Sequence, residues 1–235
     1  MSIQRLAYRV EKAGAFADDV IEFSHAVGDF SLANGLLRVD LRLPTDSISE
    51  ARAHIDPVVR AWEFEAEIRM GFPVIKFEFT PAVAVGATSQ RSPETNGATE
   101  LVIATRYPPA PTIAVTSEME NVWERYTRAR LGIGESVESA VYYGLTVIEA
   151  QFGSRPKAAA ALNLPHGVLS KLGELSSTRG DAATARKSRA SGEPLNRSEK
   201  KWIDHSIRYA LLQLGHLAAG LAPPEIEAGA LPDLE

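Results

Sequence analysis

The chain has 235 residues and a formal net charge of −5, with 45% apolar and 23% charged residues, so it can bury a core and lies outside the composition of disordered chains. It has no cysteine, which excludes a disulfide framework, a thiolate zinc site and a cysteine nucleophile, and its five histidines (His25, His54, His166, His205, His216) show no metal-ligand spacing, so neither a metal nor a cofactor is expected. No run approaches the roughly 18 apolar residues of a membrane span, and Met1–Leu6 lacks the basic-then-apolar start of a secretory leader, so the expectation is a cytoplasmic protein with no membrane partner.

In chain order, Ile3 to Val10 reads as a strand, and a shorter one fits Val20 to Ser24. Leu37, Val39, Leu41 and Leu43 alternate with Arg38, Asp40 and Arg42, the period-2 pattern of a half-buried strand, which Pro44 is expected to end. Ser47-Ile-Ser-Glu50 can cap a helix, and Ile48, Ala51, Ile55, Val58 and Val59 follow at helical spacing. Pro57 would end or kink that helix, which leaves one helix or two short pieces open. From Trp62 the period returns to two: Trp62, Phe64, Ala66, Ile68 and Met70 alternate with Glu63, Glu65, Glu67 and Arg69. With Val74–Phe79 beyond Gly71-Phe72-Pro73, this predicts a hairpin that buries Trp62, Phe64, Ile68, Phe77 and Phe79. Its Glu63/Glu65/Glu67 ladder reads as a solvated face rather than an acid–base pair.

Residues 85–99 are rich in Gly, Ser and Asn and predict a surface loop, Leu101–Thr105 a strand, and Tyr107-Pro-Pro-Ala-Pro111 a boundary. Beyond it the pattern is helical. Capping signals at Ser117–Glu120 open a helix to about Leu131, and Glu135–Phe152 gives a second. Short helices fit from Pro156 and over Gly167–Leu175, followed by a basic loop, Ser176–Leu195. Arg197–Ala219 carries the broadest apolar face and ends before Ala222-Pro-Pro-Glu225. The expected architecture is therefore α+β: an antiparallel sheet-containing domain over 1–111, an all-α helical domain over 112–220, and an acidic flexible tail over 221–235.

Charge is unevenly placed. Residues 1–154 hold 14 Lys and Arg against 21 Asp and Glu, whereas residues 155–208 hold 11 against 5. The basic block supplies the candidate binding residues Arg179, Arg186, Lys187, Arg189, Arg197, Lys200 and Lys201, because clustered cations attract phosphate or acidic surfaces. Their competing role is to pair with the acidic first half. Pro156–Leu175 has the look of a helix-turn-helix, with Val168, Leu169 and Leu172 as anchors and His166, Ser170 and Lys171 outward. That outward face holds none of the Arg, Gln or Asn residues that read base edges. No catalytic residue emerges. Gly132-Ile-Gly134 follows no strand and is not a nucleotide loop, and no GxSxG or P-loop is present.

The run Tyr142–Glu149, the stretch Leu169–Gly180 with Ala185-Arg-Lys187, the closing helix and Arg60–Glu65 resemble an uncharacterised group of bacterial proteins, which implies a bacterial source. The helical half also resembles HEPN-type ribonucleases in general layout. Their motif separates Arg from His by four to six residues, whereas Arg197/His205 and Arg208/His216 here have seven between. Three functions are thus expected in order. The first is a non-catalytic binding or regulatory protein contacting nucleic acid or an acidic protein through the basic region. The second is a HEPN-like ribonuclease or an inactive relative, and the third an assembly protein forming a homo-oligomer through its helical domain.

Overall fold

The computed structural model describes residues 2–12, 20–81, 106–165, 167–179 and 193–226. The loop and strand expected over 85–105, His166, most of the basic loop and residues 227–235 lie outside them. The chain divides into two compact units, Met1–Thr112 and Ile113–Glu235. The first is a five-stranded antiparallel sheet with one long helix, the second is helical, and the protein is α+β.

The sheet is built from β1 (Ile3–Lys12), β2 (Ile21–His25), β3 (Gly28–Ala33), β4 (Leu36–Thr45) and β5 (Ile75–Phe79) in the order β2-β3-β4-β1-β5. β2, β3 and β4 form two successive hairpins. The second turns on Asn34-Gly35, both at positive φ, the backbone twist that two-residue hairpin turns require. β3 was not anticipated, although Asn-Gly between apolar runs is its sequence signal. β4 does not stop at Pro44. Its pairing with β1 shifts register between Ile3↔Thr45 and Arg5↔Asp40, and Pro44, which has no N–H to donate, falls in that irregular stretch.

The predicted hairpin over Trp62–Phe79 is corrected. Residues 62–70 belong to α1 (Ile48–Met70), a single 23-residue helix that runs through Pro57. Its side-chain cap is Ser47, which accepts from the Glu50 N–H, and it ends at Gly71 in the left-handed region. Only Ile75–Phe79 is a strand, and it pairs with β1 instead. The reason is that α1 buries two faces. Ala51, Ile55, Val58, Val59, Trp62 and Ala66 join the sheet core, while Ala61, Phe64 and Ile68 are buried on a second stripe about 120° away. Two buried stripes separated by acids at 63, 65 and 67 imitate strict alternation. The burial expected of Trp62, Phe64, Ile68 and Phe77 holds, and Phe79 is partly buried.

The core between α1 and the sheet contains Leu6, Tyr8, Phe30, Leu32, Leu37 and Val39. Trp62 sits at its centre, 5.1 Å from the Phe77 ring and 5.3 Å from Phe23. Tyr107 is buried in the same cluster and its hydroxyl accepts from the Gly35 N–H, while Trp62 Nε1 donates to the Pro108 carbonyl at 3.1 Å. The sheet's other face is solvated. Across it, Arg5 pairs with Asp40 at 2.5 Å and Arg42 with Asp29 at 3.2 Å.

The acidic ladder also departs from expectation. Glu65 is buried and saturated: it accepts from Arg69, from the Thr112 N–H at 2.7 Å and from the Thr112 hydroxyl at 2.9 Å. Glu63 accepts from the Phe77 N–H at 2.6 Å, and burial raises the pKa of its carboxyl. Both acids serve as backbone acceptors.

The helical unit comprises α2 (Ser117–Arg130), α3 (Val137–Phe152), α4 (Arg155–Ala161), α5 (Val168–Thr178) and α6 (Arg197–Ala218). Thr116, Ser136, Ser154 and Asn196 cap four of the five starts through their side chains. The cap of α2 is thus Thr116, one residue before the expected Ser117. α3 packs against all four other helices. Val122, Trp123, Val141, Leu145, Leu172, Ile203 and Ile207 are among the residues that fill the interior. Ile113 crosses α6 so closely that a Cβ on Gly215 would lie 2.7 Å from the Ile113 Cβ, and the Ala114 N–H bonds to the Gly215 carbonyl. Arg125 grips Glu135 through two hydrogen bonds and lies 3.9 Å from the Tyr143 ring centroid, fastening the turn after α2 to α3. The Arg125 guanidinium holds the Glu135 carboxyl below its ordinary range.

Candidate functional site

The start of α6 gathers the described part of the basic block. Asn196 and Glu199 form a reciprocal capping box: Asn196 Oδ1 accepts from the Glu199 N–H at 2.8 Å, and Glu199 Oε2 accepts from the Asn196 N–H at 2.9 Å. The other Glu199 oxygen receives Arg179 Nε and Nη2 at 2.9 and 2.6 Å, and Arg179 Nη1 reaches Glu193 at 3.0 Å. These carboxylates, Glu199 foremost, raise the Arg179 pKa above its ordinary value. Arg179 is therefore a clasp between the end of α5 and the start of α6, joined to acids of its own unit rather than to the acidic first half.

Arg197, Lys200 and Lys201 behave differently. All three are exposed, and their i, i+3, i+4 spacing sets them on one face over the first turns of α6. None has an ion pair among the described residues. Cations there oppose the positive end of the helix dipole, so the arrangement costs local stability without a visible internal gain. Arg186, Lys187 and Arg189 lie outside the described residues, within the segment between Arg179 and Glu193.

One turn further along the same face stands Asp204, and it is saturated. It accepts from the Tyr126 hydroxyl at 3.1 Å and Arg130 Nη1 at 2.9 Å, and it pairs with Arg208. Burial and the neighbouring carboxylate raise the Tyr126 pKa. This α2–α6 cluster joins residues 78 positions apart, so no local pattern could reveal it. It leaves the face with Arg130 and Arg208 beside a single acid, continuing the positive field of the triad.

Measured against protein-family models, curated proteins and solved structures, the chain has no match.

The two short helices of the helix-turn-helix-like stretch are packed into the unit. α4 and α5 are present with a turn between them, and Val168, Leu169 and Leu172 are buried. Seven of the eleven residues of α5 are buried, and its outward face holds Ser170, Lys171, Glu174 and Thr178, where the one lysine is paired with Glu174 at 2.9 Å, so that face offers neither an unpaired cation nor a base-reading side chain. For the two Arg–His spacings, Arg208 reaches back to Asp204, and the His205 Nδ1–H donates to the Lys201 carbonyl at 2.8 Å. No group of three or more metal-ligating side chains occurs among the described residues, and none of their helices is long and apolar enough to cross a membrane.

Proposed function

We propose that this is a non-catalytic binding protein whose helical unit engages a phosphate-bearing partner, nucleic acid first among them, through the basic start of α6. The observation that carries the reading is the exposed triad Arg197, Lys200 and Lys201, which has no ion pair among the described residues. Twelve other Lys and Arg residues, Arg179 among them, make ion pairs. Helix N-terminal backbone N–H groups favour anions as well, so dipole and side chains act together on a phosphate. Arg186, Lys187 and Arg189, the other cations of the basic block, stand in sequence between Arg179 and Glu193, outside the described residues.

The test is fluorescence anisotropy of labelled single-stranded RNA and duplex DNA at several salt concentrations. Binding should fall with salt by a log–log slope of about −0.7 to −0.9 per phosphate contacted. Replacing Arg197, Lys200 and Lys201 together with glutamine should weaken binding and flatten that slope by about two to three. Urea denaturation should show no loss of stability. Binding that is absent at low salt, or unchanged by the triple substitution, would overturn the reading.

A further inference from the structure

The helical unit contains a cavity of about 550 Å³ between α2, α3 and α6. That size is within the range of small-molecule pockets, which run from roughly 300 to 1,000 Å³. Its walls are aliphatic, with Val122, Ile148, Ile207, Leu211 and Leu214 prominent, and small side chains at Ala150, Ala210 and Ala218 leave the space open. Among the described residues its polar lining groups are Thr116, Glu118 and Gln151.

Helix direction places those three groups together. Thr116 and Glu118 open α2, Gln151 is one residue from the end of α3, and Ala218 is the last residue of α6. The polar groups therefore share one end of the cavity, and the aliphatic walls run from it towards Ile207. That end is also electronegative. Two helix C-termini meet there against one N-terminus, and among the described residues Glu118 is the one charged side chain and no Lys or Arg lines the space. The Glu118 carboxyl is held below its ordinary range by its own backbone N–H and the Thr116 hydroxyl, so it is ionised at neutral pH.

We infer that this cavity binds a small amphipathic amine, with its hydrocarbon part along Ile207 and Leu211 and its ammonium group at Glu118 and Gln151. The site is separate from the basic face of α6 and does not depend on it. Apolar burial supplies most of the affinity, and the carboxylate selects the head group.

Isothermal titration calorimetry of the full chain with n-octylamine, n-octanol and n-octanoate tests this. Octylamine should bind with a negative heat-capacity change, and octanoate should bind more weakly than octanol. Glu118→Gln should weaken octylamine about threefold to fivefold, as expected for an exposed charge pair, and leave octanol unchanged. Ala210→Leu should weaken all three by filling the cavity. If that variant does not fold, Val147→Phe serves at the partly exposed wall. Failure of octylamine to bind, a preference for octanoate, or an equal effect of Glu118→Gln on amine and alcohol would each overturn the proposal. The basic-face substitutions should leave octylamine binding intact, so the two sites fail or succeed independently.

Discussion

The two long helices, α1 with 23 residues and α6 with 22, face the same problem and solve it differently. α1 is buried on two sides and α6 on one broad face, and each carries acids within or beside its buried surface. In α1 the acids satisfy backbone: Glu65 holds Thr112 and Glu63 holds Phe77 in β5. In α6 arginines dominate: Glu199 receives Arg179 besides the Asn196 N–H of its own cap, and Asp204 receives Tyr126, Arg130 and Arg208. Backbone N–H groups cannot be swapped by mutation, so the α1 acids are fixed by topology. The α6 acids instead organise a field of arginines, which is what a charged interface requires.

Substitutions at four positions sharpen this contrast, from the largest expected effect to the smallest. Phe77→Ala removes a ring packed at a tilt against Trp62 in the core of the first unit and should cost roughly 3–5 kcal/mol. A urea midpoint left unmoved would mean that β5 does not seal that core. Glu65→Ala leaves the Thr112 N–H and Arg69 without their acceptor and should cost about 2–4 kcal/mol. Glu65→Gln, which keeps a carbonyl acceptor for Thr112, should recover part of that loss, and an equal loss in both variants would assign the effect to the Arg69 pair alone.

In the second unit, Gly215→Ala drives a Cβ into Ile113 and should destabilise by about 1–3 kcal/mol, measured as a lower thermal midpoint. A neutral result would show that the chain at Ile113 moves aside freely. The smallest effect is that of Glu63→Gln. Burial raises the Glu63 pKa, so the folded chain binds more protons than the unfolded one, and wild-type stability falls as pH rises from the ordinary carboxyl value through the raised one. Glutamine cannot titrate and still accepts from Phe77. The variant should therefore lose that decline and gain on the wild type as pH rises above the ordinary carboxyl value, near about pH 4. Parallel stability curves for the two proteins over that range would contradict it.

These contrasts also explain what the sequence made legible. α6 was readable because its capping box and apolar stripe lie within one local window. The β4 strand was readable because Leu37 and Val39 face the core while Arg38, Asp40 and Arg42 face solvent, which keeps the alternation clean. The second half of α1 was not, since a helix buried on two sides loses the 3.6-residue contrast that identifies it. At the candidate interface, residue types and spacing picked out Arg197, Lys200 and Lys201. Nothing local marked Arg179 as a clasp, because its partners Glu193 and Glu199 come 14 and 20 residues later. The aliphatic cavity was hidden for the same reason: it arises where three helices separated in sequence each contribute small or aliphatic side chains.

The hydrogen bond from the Phe77 N–H to Glu63 has a consequence for self-association. Among the described residues β5 is an edge strand, and the Phe77 N–H points away from β1 towards that edge. An unpaired edge is a template on which a strand from another molecule can add. Here an incoming strand would have to displace a carboxylate to reach the Phe77 donor, and that carboxylate would then stand beside the newcomer's carbonyl groups. The guard is also a titrating group: protonation removes the charge and weakens the hydrogen bond from Phe77. Acid would thus discharge the guard while the sheet stays folded, and growth of intermolecular β-structure on acidification should begin at β5.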